Sequence, residues 1–283
     1  MPATDQPFCD ADADFPIKVV FILSAMRSGS TWLNLVLGSC SWGLNLGEYY
    51  RPWRWPGHIA CRLCEADGLS ECSMLHGIEQ VEQRNAFHFA AARGGSRVII
   101  DCSKDLAWCA DFLDDARIDA RVVHLVRHPA GYVESESRRA PEMGHAALLE
   151  RWEAENRKIS AFTDPLGAAA ATVSYDALAD NSEVEFARLC RFLGQDWETD
   201  ALRYWEVPHH GLGGNGAPSV YLRGRQLAKY TTGDDRFYAE IPARPVAADT
   251  RFRERLPEAF RLRALELPYA QELMAKLRTR WLP

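Results

Sequence analysis

The stretch Val19-Val20-Phe21-Ile22-Leu23-Ser24-Ala25-Met26-Arg27-Ser28-Gly29-Ser30-Thr31-Trp32-Leu33 changes character halfway along. Its opening run is β-branched, aromatic and aliphatic with no turn former, which predicts a buried strand. Small polar residues around Gly29 predict a tight loop, and Leu33, Val36, Leu37 and Cys40, spaced i, i+3, i+4, i+7, predict a helix behind it. Strand, tight loop and helix together aim backbone N–H groups and a helix N-terminus at an anion. The loop adds the guanidinium of Arg27 and the hydroxyls of Ser28, Ser30 and Thr31, all suited to phosphate oxygens. An ordinary βα turn would not need this density of Arg, Gly and hydroxyl groups.

Two more strands end in the same way. Arg97-Val98-Ile99-Ile100-Asp101-Cys102-Ser103-Lys104-Asp105 reads as a short buried strand running into a polar end. Ala120 to Val126 reads as another, ending in Arg127-His128-Pro129, where Pro129 stops the strand and opens a helix carrying Ser135. Ligands of open parallel sheets sit beyond the carboxyl ends of the strands. Ser103, Lys104 and Asp105 are therefore expected to face the Arg27 loop. Two strand ends with Arg and hydroxyls predict two anionic groups on one ligand. The fold class expected is α/β, with a central, mostly parallel sheet flanked by helices in three layers.

Around this frame, residues 1–15 read as a loose acidic leader and 16–283 as a single domain. Residues 41–77 read as an aromatic and Cys-containing insertion, too irregular for a helix, in which Glu48 and Arg51 among aromatic rings suggest a pocket wall. Residues 208–235 read as a Gly-rich, basic covering loop. Within the insertion, Cys61 and Cys64 form a Cys-x-x-Cys, with Cys72 nearby and His58 or His76 as an imidazole. That spacing suits a metal, but a second Cys-x-x-Cys or a His pair is missing. Reduced thiols packing an insertion, and no metal ligand, are the expectation. Further helices are expected at 78–93, 106–116, 145–162, from the capping box Ser182-x-x-Glu185 to Gly194, and at 268–280, with a strand at 171–175. Asn156 interrupts an apolar stripe and is expected to have a buried partner.

A net charge of -6 gives no reason to expect nucleic acid as partner, so an anionic ligand needs a local cationic site. The longest apolar run, Val19 to Leu23, is far too short to span a bilayer. The N-terminus lacks a basic segment followed by an apolar one, and a cytoplasmic protein is expected. Oligomeric state is not readable.

The motifs Arg27-Ser28-Gly29-Ser30-Thr31-Trp32, Cys102-Ser103-Lys104 and Arg127 with Ser135 eight residues on together resemble the sulfotransferases that use 3′-phosphoadenosine-5′-phosphosulfate (PAPS). Tyr175-Asp176-Ala177-Leu178, Phe192-Leu193-Gly194 and Gly213-Gly214-Asn215 extend the resemblance over about residues 17–220. It implies a P-loop-like fold and transfer of a sulfuryl group to an acceptor hydroxyl, with PAP as product and no metal required for catalysis. Arg27, Ser28, Gly29, Ser30, Thr31 and Trp32 would bind the 5′ side of the cofactor, Arg127 and Ser135 the 3′ side. Ser103 and Asn215 would also bind it, and Lys104 and Arg27 would stabilise charge on the bridging oxygen. The base that small-phenol members carry two residues after a Lys is absent, because Leu106 stands there. The protein-tyrosine branch and many bacterial members carry a Gly-Glu segment after the first helix. Gly47-Glu48 fits that place, so the resemblance makes Glu48 the base, with His124, Asp105 and His209 as weaker candidates. The acceptor is left open between a sugar, a glycolipid and a natural-product alcohol.

Two other functions compete. A P-loop kinase or hydrolase needs Lys directly after the last Gly of its loop, and Ser30 stands there. A non-catalytic nucleotide- or zinc-binding module would not need two separate Arg/hydroxyl strand ends.

Overall fold

The computed structural model describes residues 16–56, 61, 63, 72–214 and 248–283. The leader, Cys64, Asn215 and most of the 208–235 loop lie outside the described residues. Five strands, β1 (Ile17–Ser24), β2 (Gly43–Gly47), β3 (Val98–Asp101), β4 (Ile118–Val126) and β5 (Ala170–Ser174), form one sheet in the order β2-β3-β1-β4-β5. Every pairing in it is parallel.

β1 is central because its side chains are apolar on both faces, as a strand covered on both sides requires. Val19, Phe21 and Leu23 enter one core with Phe87, Trp108 and Phe112. Val20 and Ile22 enter the other, with Leu33, Val36 and Leu37 of α1 (Ser30–Leu37) and Phe186 and Leu189 of α8 (Ser182–Leu193). The first core is largely aromatic. Phe87, on α3 (Ala86–Gly94), lies with its ring centroid 5.5 Å from Phe21, 5.8 Å from Trp108 and 4.8 Å from Phe112. A third core joins α5 (Pro129–Ser137) and α6 (His145–Thr163) to helices Glu258–Glu266 and Pro268–Leu277 through Tyr132, Trp152, Phe260 and Tyr269.

Several local expectations change. Gly43–Gly47 is not part of an irregular insertion: it is the edge strand β2, with Leu46 buried and Asn45 taking His210 O as an acceptor at 3.0 Å. A five-residue strand of Gly, Leu and Asn has no β-branched residue to announce it. Residues 78–93 form two short 3₁₀ turns before α3, and the helix after Asp105, α4, spans only Leu106–Ala110. Ser182 is inside α8 rather than its cap, its hydroxyl donating back to Leu178 O at 2.8 Å. Asn156 has its buried partner, His124, at 3.0 Å. No helix among the described residues is long and apolar enough to cross a membrane.

Candidate active site

The register brings the predicted residues together. Gly47 lies opposite Asp101 across β2 and β3, Phe21 opposite Asp101 across β1 and β3, and Ser24 opposite Leu125 across β1 and β4. Strands this aligned end at one edge of the sheet. Glu48 follows β2, Lys104 follows β3, Arg27 follows β1 and Arg127 follows β4, so they stand in that order along the edge.

The Arg27 loop is built by two residues with positive φ, Arg27 at 64° and Gly29 at 94°. Only glycine fits the second place, because a Cβ there would run into the ring of Tyr175. Tyr175, from α7 (Tyr175–Asp180), also lies under the Arg127 guanidinium, whose centre is 5.1 Å from its ring. No described side chain caps α1, and its first turn carries no acid. Ser28 is fully buried, and its hydroxyl and that of Ser24 lack a hydrogen-bond partner among the described residues. Trp32 does not belong to the ligand side of this loop. Its indole packs edge-on against Tyr175 and Phe186 in the core, which leaves only its backbone to serve a ligand.

Arg127 and Ser135 meet the first loop directly. Arg127 Nη1 donates to Arg27 O at 2.9 Å, and Arg27 Nε donates to Ser135 Oγ at 3.1 Å. Arg127 Nη2 donates to Asp249 at 3.0 Å, while its buried Nε lacks a partner among the described residues. Gly131, one turn along α5, leaves room for this side chain: a Cβ there would stand 3.1 Å from Nε. Burial opposes the charge on Arg127, but Tyr175, Asp249 and Asp176 raise its pKa on balance.

At the other end of the edge, the buried Asp101 organises the polar turn. Its Oδ1 accepts from the N–H groups of Tyr49 and Ser103, both at 3.2 Å, and from the Ser103 hydroxyl; Oδ2 accepts from Trp108 Nε1 at 3.1 Å. Burial pushes its pKa up to about 6, against those hydrogen bonds. Ser103 Oγ accepts from Tyr50 N at 3.2 Å, tying the turns after β2 and β3 together. Lys104, at φ 61°, donates to Cys102 O at 2.8 Å and to Glu48 Oε1 at 2.9 Å. Arg51 Nε donates to Glu48 Oε2 at 2.8 Å, and its Nη2 makes a second bond to the same oxygen. Burial raises the Glu48 pKa, but Lys104 and Arg51 outweigh it and hold the carboxyl below its ordinary value.

Glu48 and the Arg27 loop share a neighbour. Gly213 (φ 61°) sits where a Cβ would strike Glu48 and Arg51, and Gly214 (φ 88°) where one would lie 3.2–3.3 Å from Thr31. Glycines let the segment lie against both.

The three weaker base candidates are engaged in other contacts. His124 is buried in the core on Asn156. His209 is buried with Nδ1 at 2.6 Å from Asn45 Oδ1 and Nε2 at 2.7 Å from Tyr204 O, and burial lowers its pKa to about 4. Asp105 caps α4, accepting from Trp108 N at 2.7 Å. Sequence reasoning passed over Asp101, Tyr175 and Asp249 as parts of the site and used Arg51 only as a pocket-wall residue. Of these, the Glu48-x-x-Arg51 spacing was the signal available.

A family model described as the sulfotransferase family matches residues 19–199. The chain belongs to that family. The segment matched contains β1 through α8 and every strand-end residue named above, and the five-stranded parallel sheet flanked by helices is the family's P-loop-like fold. No curated protein gives a match. Among solved structures, the sulfotransferase domain from the curacin biosynthetic pathway is similar with a TM-score of 0.56 at 18% identity, over 95% of this chain and 100% of that one. The sulfotransferase domain from the Synechococcus PCC 7002 olefin synthase gives 0.49 at 20% identity, over 92% and 98%. Retinol dehydratase in a complex with retinol and PAP gives 0.45 at 13% identity, over 95% and 85%.

Proposed function

We propose that this member of the sulfotransferase family moves the sulfuryl group of PAPS directly onto an acceptor hydroxyl, with Glu48 as the base. The observation that carries this reading is the row Glu48, Lys104, Arg27, Arg127 along one sheet edge, with Lys104 Nζ 2.9 Å from the carboxylate. PAPS would supply the sulfuryl group from its 5′-phosphosulfate end, with its 3′-phosphate as a second anionic group. The residues fit such a molecule: among the described residues α1 has no side-chain cap, and the hydroxyls of Ser24 and Ser28 and the Nε of Arg127 have no partner, so all are polar groups in want of an anion. Arg27, Ser28, Gly29, Ser30 and Thr31 would hold the 5′ side, with Ser103 near it; Arg127 and Ser135 would hold the 3′ side. Asn215 keeps the role that the resemblance gives it.

Arg51 and Lys104 keep Glu48 ionised at neutral pH, so it is ready to accept a proton. In the transfer the acceptor O–S bond forms and its proton passes to Glu48. PAP would leave with the electron pair of the S–O bond to the 5′-phosphate. Lys104 is tethered by the Cys102 carbonyl at 2.8 Å and can turn from the carboxylate to the developing charge. That turn leaves Glu48 with one cation fewer, which makes it more basic as the acceptor loses its proton. The exposed Trp55, 5.3 Å from the Arg51 guanidinium and 5.1 Å from the Tyr50 ring, offers a flat apolar wall beside Glu48. It suits the face of a sugar or of a natural-product or lipid-linked alcohol.

Transfer of labelled sulfate from PAPS to a panel of sugar, glycolipid and natural-product alcohols tests the reading. Labelled product is expected with the wild type and without added metal. Release of sulfate into water alone, with every alcohol untouched, would contradict a hydroxyl transferase.

A further inference from the structure

Cys61 and Cys72 of the cysteine segment and His210, far along the chain, converge at one point. Both cysteines are buried, at 5% and 1% exposure. Cys72 Sγ is 3.3 Å and Cys61 Sγ 4.0 Å from His210 Nδ1, and the three atoms lie within 4.8 Å of one another. A tetrahedral zinc ion with sulfur at about 2.3 Å and nitrogen at about 2.0 Å spaces its ligand atoms by roughly 3.5–3.8 Å. We infer that Cys61, Cys72 and His210 hold a structural zinc ion, a role separate from sulfuryl transfer.

The donor set is soft, two sulfurs and an imidazole, which selects zinc over magnesium or calcium. Gly211 N donates to Cys61 Sγ at 3.4 Å, and Asn45 Nδ2 to His210 O at 3.0 Å, so ligands are oriented from outside as metal ligands commonly are. Of the two imidazoles that the sequence offered beside the cysteines, His58 lies outside the described residues and His76 is exposed; the ring at the sulfurs belongs to His210, 138 residues beyond Cys72.

The ion would fasten a particular strap. Leu212, two residues after His210, donates to Leu46 O at 2.9 Å and accepts from Glu48 N at 2.6 Å, and it also bridges to Cys61. Zinc there joins the cysteine segment to the strap that carries Gly213 against Glu48.

Elemental analysis of the full chain, purified under reducing conditions without chelator, should find about one zinc per chain. Cobalt exchanged into it should show a thiolate-to-cobalt charge-transfer band. The double variant Cys61→Ser/Cys72→Ser, and separately His210→Ala, should lose the metal. If those variants fail to fold, the wild type still decides: chelation should lower its melting temperature by several degrees and expose two further thiols to a thiol reagent as zinc is released. Three results would overturn the inference: no zinc taken up by the reduced wild type when zinc is supplied, a Cys61–Cys72 disulfide in its place, or zinc retained by the double variant.

Discussion

Glu48 lies between two cations, and their effects pull in opposite directions. Lys104 and Arg51 guarantee the ionised carboxylate but weaken it as a base, so its strength depends on Lys104 leaving. Glu48→Gln keeps the shape and removes the proton acceptor. Turnover should fall by about 10²–10⁴-fold while PAP affinity measured by calorimetry stays within a factor of a few; lost PAP binding would make Glu48 a structural residue. Arg127 is held by Arg27 O and Asp249, with Nε left without a partner among the described residues. Arg127→Ala should cost PAP binding about 1.5–3 kcal/mol, and unchanged affinity would take Arg127 out of the site. Arg27, Lys104 and Arg127 were legible because each follows an apolar run, whereas Glu48 was picked out by the Gly47-Glu48 resemblance and its aromatic surroundings. Asp101 and Tyr175 were not, because a carboxylate that collects backbone N–H groups and a ring that fills a glycine's missing side chain are facts of three-dimensional packing. His124 shows the converse: an imidazole in a strand looks available in sequence, yet faces Asn156 in the core.

The elements matter through where they stop. Four parallel strands in register end together; positive-φ residues shape the turns after β1, β2 and β3, while β4 passes through Arg127 and His128 into Pro129 of α5. At Gly29 the room for a side chain is closed by the ring of Tyr175. Gly29→Ala should lose roughly 1–3 kcal/mol of stability from forcing an alanine to positive φ. It should also weaken PAP, since the loop must open to clear the ring. A thermal melt and a PAP titration read both, and an unchanged pair of values would mean the loop relaxes freely. β1, β3 and β4 were readable from their runs of Val and Ile. β2 was not, since it owes its place to pairing with β3 and to the Leu212 strap rather than to its own composition.

Across the whole molecule, buried ionisable groups set the response to acid. Burial lowers the pKa of His124 to about 4, His128 to about 3 and His209 to about 4. Burial raises Asp101 and Asp176 to about 6. Between about pH 4 and 6 the unfolded chain holds protons on three histidines that the native chain refuses, and the native chain holds protons on two carboxylates that the unfolded chain releases. The histidines outnumber the carboxylates, so stability should rise with pH through this window by roughly 1 kcal/mol per unit. Glu48 and Asp249, both lowered, add to the loss at the acid end. Scanning calorimetry from pH 4 to 6 checks the sign, and a melting temperature that climbs on acidification would contradict it. In the proposed function Arg27 and Arg127 hold the two anionic ends of one ligand, and calorimetric titration of PAP and of ATP into the wild type tests that arrangement most directly. PAP should bind with one site per chain and far more tightly than ATP, because PAP alone carries the 3′-phosphate for Arg127 and Ser135; ATP bound in preference to PAP would contradict the account.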